Sequence, residues 1–166
     1  MNAGRTRART ALEASSDDLL RYFERRVTVR GDAADLLSEM MLHAWRRADA
    51  CPDDAERQRM WLFTIAANVL ANHRRSAARR LRLADRLRAE VSVETRADDT
   101  ERHAVRDAVL RLHHAHRELV MLIHWDGLTV TQAAELLGLN PSTARTRYAA
   151  ARTALREALT QAAADC

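Results

Sequence analysis

The chain is poor in the residues that make turns, sheets and cross-links. Of its 166 residues four are Gly, two Pro and two Cys, and aromatic side chains make up 4%. So little Gly and Pro leaves few turns for an all-β fold, whereas the abundant Ala, Leu and Arg are good helix formers. The expected fold class is all-α. Cys51 lies far from the terminal Cys166, which excludes a disulfide framework or a site of several thiolates and suits a reducing cytoplasm. Lysine is missing altogether, since all 27 basic residues are Arg; a coding bias toward GC-rich codons accounts for that better than a structural demand. No uninterrupted apolar run approaches the roughly 18 residues that a membrane helix needs, so a cytoplasmic protein is expected.

Catalytic signatures are absent too. There is no Ser-His-Asp order, no Gly-rich phosphate loop and no pair of carboxylates that stands out from helix-surface acids. An enzyme, a small-molecule substrate and a cofactor are therefore not expected. His113, His114 and His116 cluster, but no Cys or carboxylate constellation completes a metal site around them. The net charge of +4 and the pI near 10 permit a polyanionic partner, and the distribution of charge decides whether there is one.

Hydrophobic periodicity divides the chain. Arg5, Arg7 and Arg9 sit in a stretch, residues 1–16, that reads as a disordered basic tail. From Asp17 to about Val29, Leu19, Leu20, Phe23 and Val27 recur at helical spacing, with Ser16 or Asp17 as N-cap. Gly31 interrupts, and Leu36, Leu37, Met40, Met41, Ala44 and Trp45 then form the stripe of an amphipathic helix. Residues 49–59 lack an apolar period, contain Pro52 and read as a loop leading into a helix start. The longest helix follows. Trp61, Leu62, Ile65, Ala66, Val69 and Leu70 make its apolar face, and Asn68, Asn72, Arg75 and Arg79 line another. Between His73 and Arg88 seven Arg stand against one acid, Asp85.

From residue 89 to 99 the period fades into Ser, Thr, Glu and Asp, as in a flexible linker between two domains. Asp98 and Glu101 can form a capping box, after which Val105, Val109 and Leu112 share a helix face. The helix of residues 116–125 ends at Asp126-Gly127, a turn-forming pair. His124 and Trp125 are expected against the domain core. The domains so drawn are residues 17–88 and 100–161, two small helical domains.

Residues 128–156 carry the order of a helix-turn-helix. Small Ala133 and Ala134 let a second helix cross closely, Gly138 suits a left-handed turn, and Asn140-Pro141 suits an N-cap and a first helical turn. On the second helix Ala144, Tyr148, Ala151 and Leu155 should face inward, leaving Ser142, Arg145, Thr146, Ala149 and Arg152 outward for a major groove. Arg offers a fork to guanine, hydroxyls reach bases or phosphates, and the helix N-terminus favours a phosphate oxygen. A stand-alone transcriptional repressor or activator uses the same unit, and a helical partner-binding adaptor would use only the first half.

The first half separates these readings. Asp32-Ala33-Ala34-Asp35-Leu36-Leu37-Ser38-Glu39, continuing through Ala44-Trp45-Arg46, resembles regions 2.1 to 2.2 of the sigma-70 family. Trp61-Leu62-Phe63-Thr64-Ile65-Ala66-Ala67-Asn68 with Asn72 and Arg75 resembles regions 2.3 to 2.4. Arg117-Glu118-Leu119, Asp126-Gly127-Leu128-Thr129 and Ser142 to Arg147 occupy matching places in region 4. With no long region 3 between the halves, the chain resembles the extracytoplasmic-function (ECF) sigma factors over residues 17–160.

That resemblance implies a factor that binds the bacterial RNA polymerase core, at the coiled coil of the largest subunit and at the flap, and confers promoter specificity. It implies core contacts at Asp35, Leu36, Glu39, Met40, His43 and Arg46, with Leu37, Met41 and Trp45 left to the factor's own packing. It implies single-stranded −10 contacts at loop 49–59, Asn68, Asn72, Arg74, Arg75 and Arg79, and −35 contacts at Ser142, Thr143, Arg145, Thr146, Arg147 and Arg152. An anti-sigma factor, often membrane-bound, is expected from the family's habit. Four positions depart from the family pattern: Ser38 replaces a usual Gln, His113 a Pro, Ala150 an Arg, and Pro52 a frequent aromatic residue.

Overall fold

The computed structural model describes the backbone of residues 3–87 and 100–164 and the side chains of residues 3–83 and 105–161. Every regular element among them is a helix, and the chain divides into two compact units, Met1–Glu90 and Val91–Cys166. The proposed linker and the Asp98–Glu101 box lie outside the described residues.

The first unit holds α1 (Ala3–Glu24), α2 (Arg30–Arg46) and α3 (Ala55–Leu87), with one 3-10 turn at Ala48–Ala50. The three helices pack pairwise. Phe23, Leu19, Met40, Leu62 and Phe63 are fully enclosed. Tyr22 meets Phe23 and Phe63 edge to face, with ring centroids 5.4 and 5.5 Å apart, the arrangement that ring quadrupoles favour. Arg59 closes the rim, its guanidinium 4.7 Å from the Phe63 ring centre and 3.0 Å from the Asp18 carboxylate.

Residues 3–16 are helical and not the disordered tail expected over 1–16. α1 is already running at Ala3, and Gly4, Ala8, Ala11, Leu12 and Ser15 are buried on one face of it. This face is a stripe of small residues at helical spacing, and its Ala and Ser side chains weigh little on a hydrophobicity scale although they allow close packing. Ser16 and Asp17 therefore lie inside a helix and are not its cap. The loop expected over 49–59 is also shorter, because Asp54 Oδ2 accepts the Arg57 amide at 3.0 Å and caps α3 from Ala55.

The second unit comprises α4 (Thr100–Arg111), α5 (His114–His124), α6 (Val130–Leu136) and α7 (Pro141–Ala164), with α7 packed on the other three. Val109, Leu112, Val120, Met121 and Ala151 form its core, with Leu155 against them. Val105 departs from the expected apolar face and is exposed. His113 caps α5 with φ −53°, and its Nδ1 accepts the Ala115 amide at 3.4 Å. That φ is the one a proline ring fixes, so His113 reproduces the backbone of the usual Pro and adds a cap. Arg117 reaches back to the Leu110 and Leu112 carbonyls at the end of α4, satisfying acceptors that a helix C-terminus leaves open.

Candidate nucleic-acid interface

The α6–α7 pair is built by local chemistry. Thr129 caps α6 by accepting the Gln132 amide at 3.2 Å, and the Gln132 side chain accepts the Thr129 amide at 2.9 Å, a reciprocal capping box. α6 ends where Gly138 takes φ 64°. The Leu139 amide donates to the Ala134 carbonyl at 2.8 Å and the Gly138 amide to that of Glu135 at 3.1 Å, the paired bonds of a Schellman turn. Asn140 then accepts the Ser142 amide at 3.0 Å and its hydroxyl at 2.8 Å, with Pro141 in the first turn of α7. Ala133, Ala134 and Ala144 are fully buried where the helices cross.

With α7 fixed in this way, Ser142, Arg145, Thr146, Ala149 and Arg152 are exposed on one face, while Ala144 and Ala151 are inside. Thr143 and Arg147 are half-buried. At about 100° per residue Thr143 lies roughly 120° and Arg147 roughly 160° from the middle of that face, so both belong to another side of α7. Arg156, unremarked in the sequence, is exposed one turn beyond Arg152 on the same line; its i+4 spacing was the available signal. Tyr148 is half-buried, its hydroxyl 2.8 Å from His124 Nε2, and Arg152 stacks over its ring at 5.8 Å. Trp125 is 43% exposed and does not pack inside as expected.

In the first unit Asn68, Asn72, Arg75 and Arg79 are exposed along one line of α3. Arg75 donates to Asn72 Oδ1, and Arg79 donates to the Ser76 hydroxyl at 3.0 Å. Arg74 is exposed as well, but two residues from Asn72 turn it roughly 200° around the helix. It belongs to a different face from the asparagines.

On α2 the burial runs one residue out of phase with the expectation. Leu36 and Met40 are 3% and 0% exposed, so these two candidate contacts are core residues of this unit and are removed from the partner surface. Trp45, expected inside, is 42% exposed, and Leu42 is 48% exposed. Leu37 and Met41 lie between, half-buried. The outward strip is Asp35, Ser38, Glu39, Leu42, Trp45 and Arg46, with half-buried His43 beside it, 3.6 Å from Glu39.

The 47–54 segment between α2 and α3 carries Cys51, which is buried, its thiol 3.7 Å from the Pro52 carbonyl oxygen. Burial pushes the Cys51 thiol up; the Arg7 charge opposes that rise and Asp53 adds to it.

Two family models match the chain: Sigma-70 region 2 over residues 12–80 and Sigma-70, region 4 over residues 102–155. The ECF RNA polymerase sigma factor SigL of Mycobacterium tuberculosis is 30% identical over 142 residues, covering 83% of this chain and 80% of SigL. The ECF RNA polymerase sigma factor BldN of Streptomyces coelicolor is 34% identical over 148 residues, 85% of this chain and 56% of BldN. Among solved structures, the sigma factor RpoE in complex with the anti-sigma factor NepR from Bartonella quintana matches with a TM-score of 0.72 at 23% identity, covering 92% of this chain and 96% of that one. CnrH in complex with the cytosolic domain of CnrY matches with a TM-score of 0.63 at 23% identity, covering 96% and 99%. These two likenesses are of fold.

Proposed function

Because the chain belongs to the ECF type of the sigma-70 family of RNA polymerase sigma factors, we propose that its first unit holds the polymerase core and the −10 strand while its second reads the −35 duplex. The observation that carries this is the presence of regions 2 and 4 in order in one chain, each with an exposed face of Arg and amide or hydroxyl side chains.

Asp35, Glu39, His43 and Arg46 dock on the coiled coil of the largest subunit, joined by Leu42 and Trp45, which supply the apolar area that an interface centre needs. The 47–54 segment with Asn68 and Asn72 receives an extruded −10 base, whose edge an amide can pair with one donor and one acceptor; Arg75 and Arg79 lie beside it for phosphates. Arg74 serves phosphates from the other side of α3. At −35, Ser142, Arg145, Thr146 and Arg152 face the major groove, with Arg156 placed for the backbone and Thr143 and Arg147 on another side of α7. The family contact with the polymerase flap falls to the second unit.

The chain performs no bond chemistry itself in this scheme; the polymerase does. An anti-sigma factor is its expected regulator, in keeping with the RpoE–NepR complex whose fold it shares. No helix among the described residues is long and apolar enough to cross a membrane. The proposed site of action is the nucleoid in the cytoplasm, with the membrane reached only through such a partner.

Pulldown of purified core followed by run-off transcription from genomic fragments tests the reading. Stable core binding with new start sites is expected. Arg145→Ala should weaken −35-dependent transcription by about 1–3 kcal/mol of base discrimination and leave core binding intact; loss of both would break the division of labour. DNA binding as a dimer without core would favour a repressor, and indifference to DNA an adaptor.

A further inference from the structure

The first turns of α1 hold the 47–54 segment. A Cβ added at Gly4 would stand 2.8 Å from the Ala48 carbonyl oxygen and 3.0 Å from Asp49 Cα, so backbone approaches backbone there with no space for a side chain. One turn later Arg7 Nε lies 3.1 Å from Asp53 Oδ1, and the same guanidinium donates to the Cys51 carbonyl at 3.4 Å. Ala8 is buried together with Ala48 and Cys51, and Trp61 from α3 packs against the three. The segment is thus held near its start by Gly4, at its middle by Ala8 and near its end by Arg7. Ala50, between these contacts, remains exposed, as does the Asp53 side chain that Arg7 pairs with.

These contacts suit control of a loop more than support of a core. The Asp53 side chain is 90% exposed, and an exposed charge pair adds little to global stability. It does restrict which conformations a short segment visits. Reading a base demands that the contacting groups be held within about 0.5 Å of the productive geometry by their neighbours. Residues 4–8 also precede residue 12, where the region 2 match begins, so the match gives them no role.

We propose that the first turns of α1 position the 47–54 segment for the −10 base, which makes Arg7 and Gly4 positioning residues for promoter selectivity without contact to DNA. This rests on the reading of that segment as part of the −10 site. α1 is then a brace: its Leu19–Phe23 half belongs to the core, and its Gly4–Ala8 half sets the specificity of a segment more than 40 residues away in sequence.

The test is run-off transcription with the full-length protein and core, on a promoter recovered with the wild type, the −35 element fixed and the −10 element randomised. Arg7→Ala is expected to reduce discrimination between preferred and disfavoured −10 sequences by about two- to fivefold, the range an exposed pair supports, with core affinity unchanged. The exchange of Arg7→Asp with Asp53→Arg should restore part of it, and Gly4→Ala should shift the same preference. Unchanged preference in both Arg7→Ala and Gly4→Ala overturns the proposal. So does a uniform fall across all −10 sequences that the exchange fails to restore, which is the signature of an Arg7 phosphate contact. Ala50→Asn, on the exposed part of the segment, separates the premise from the inference. If it leaves −10 preference untouched, the segment is not the reader; if it alters preference and the α1 variants do not, only the brace fails.

Discussion

The Cys51 thiol is buried beneath α1, and that burial raises its pKa. A group whose pKa is higher folded than unfolded binds more protons in the native state between the two values. Its contribution is therefore complete below the unfolded thiol pKa and is lost as pH rises through the folded one. Alkaline titration of stability should fall more steeply for the native sequence than for Cys51→Ala, and in a Cys166→Ser background a thiol reagent should label Cys51 slowly until the protein unfolds. The same scale separates two neighbouring columns of α2. Leu36→Ala or Met40→Ala should cost about 2–5 kcal/mol by leaving a cavity, measured by urea unfolding. Trp45→Ala should cost far less in stability yet weaken capture of core. That pair of outcomes also shows where the sequence was hard to read. Leu36/Leu37, Met40/Met41 and Ala44/Trp45 are adjacent apolar columns, so periodicity finds the helix but leaves its rotation open by one residue. Packing chose the column with Ala33 and Ala44, the small residues that let α2 lie close to its neighbours, and left the bulky indole outside.

At the scale of the element, the clearest part of the chain was the turn between α6 and α7, because its demands are local. A positive φ at Gly138, an amide to cap at Asn140 and a fixed φ at Pro141 depend on residue type alone, and the structure meets each. The first half of α1 was opaque for the opposite reason: its burial depends on what α2 and the 48–53 backbone bring against Gly4, Ala8, Ala11 and Ser15, and small residues announce no such contact. The contact strip of α3 was legible as a line of Asn and Arg, while the departure of Arg74 from that line needed the helix phase. Glycines divide accordingly. Gly138→Ala forces an L side chain into the left-handed region and should cost about 1 kcal/mol, although beyond its chain neighbours no heavy atom lies within 4 Å of its added Cβ. Gly31 likewise has nothing within 4 Å, and no positive φ marks it. Gly31→Ala in the first turn of α2 should raise stability by about 0.4–1 kcal/mol. Thermal unfolding of the two variants against the native protein checks both signs.

For the whole molecule the two units matter through their joining. Each presents a modest basic face, and the net charge of +4 over the chain gives neither a strong electrostatic hold on DNA. Covalent connection changes this once the polymerase is bound, since the second unit then samples the −35 duplex at an effective concentration of about a millimolar instead of its bulk value. A protein interrupted within residues 91–99, supplied as two fragments with core at nanomolar concentration, should therefore lose promoter-specific transcription by at least about a hundredfold. The first fragment should retain core binding, and the loss should be recovered as the second fragment is raised toward the effective concentration. Abortive-initiation assays over a titration of that fragment measure the recovery. Equal activity of cut and intact protein at nanomolar concentration would mean that the units are held together by contacts between them or by the polymerase, and that the chain joining them contributes nothing to promoter reading.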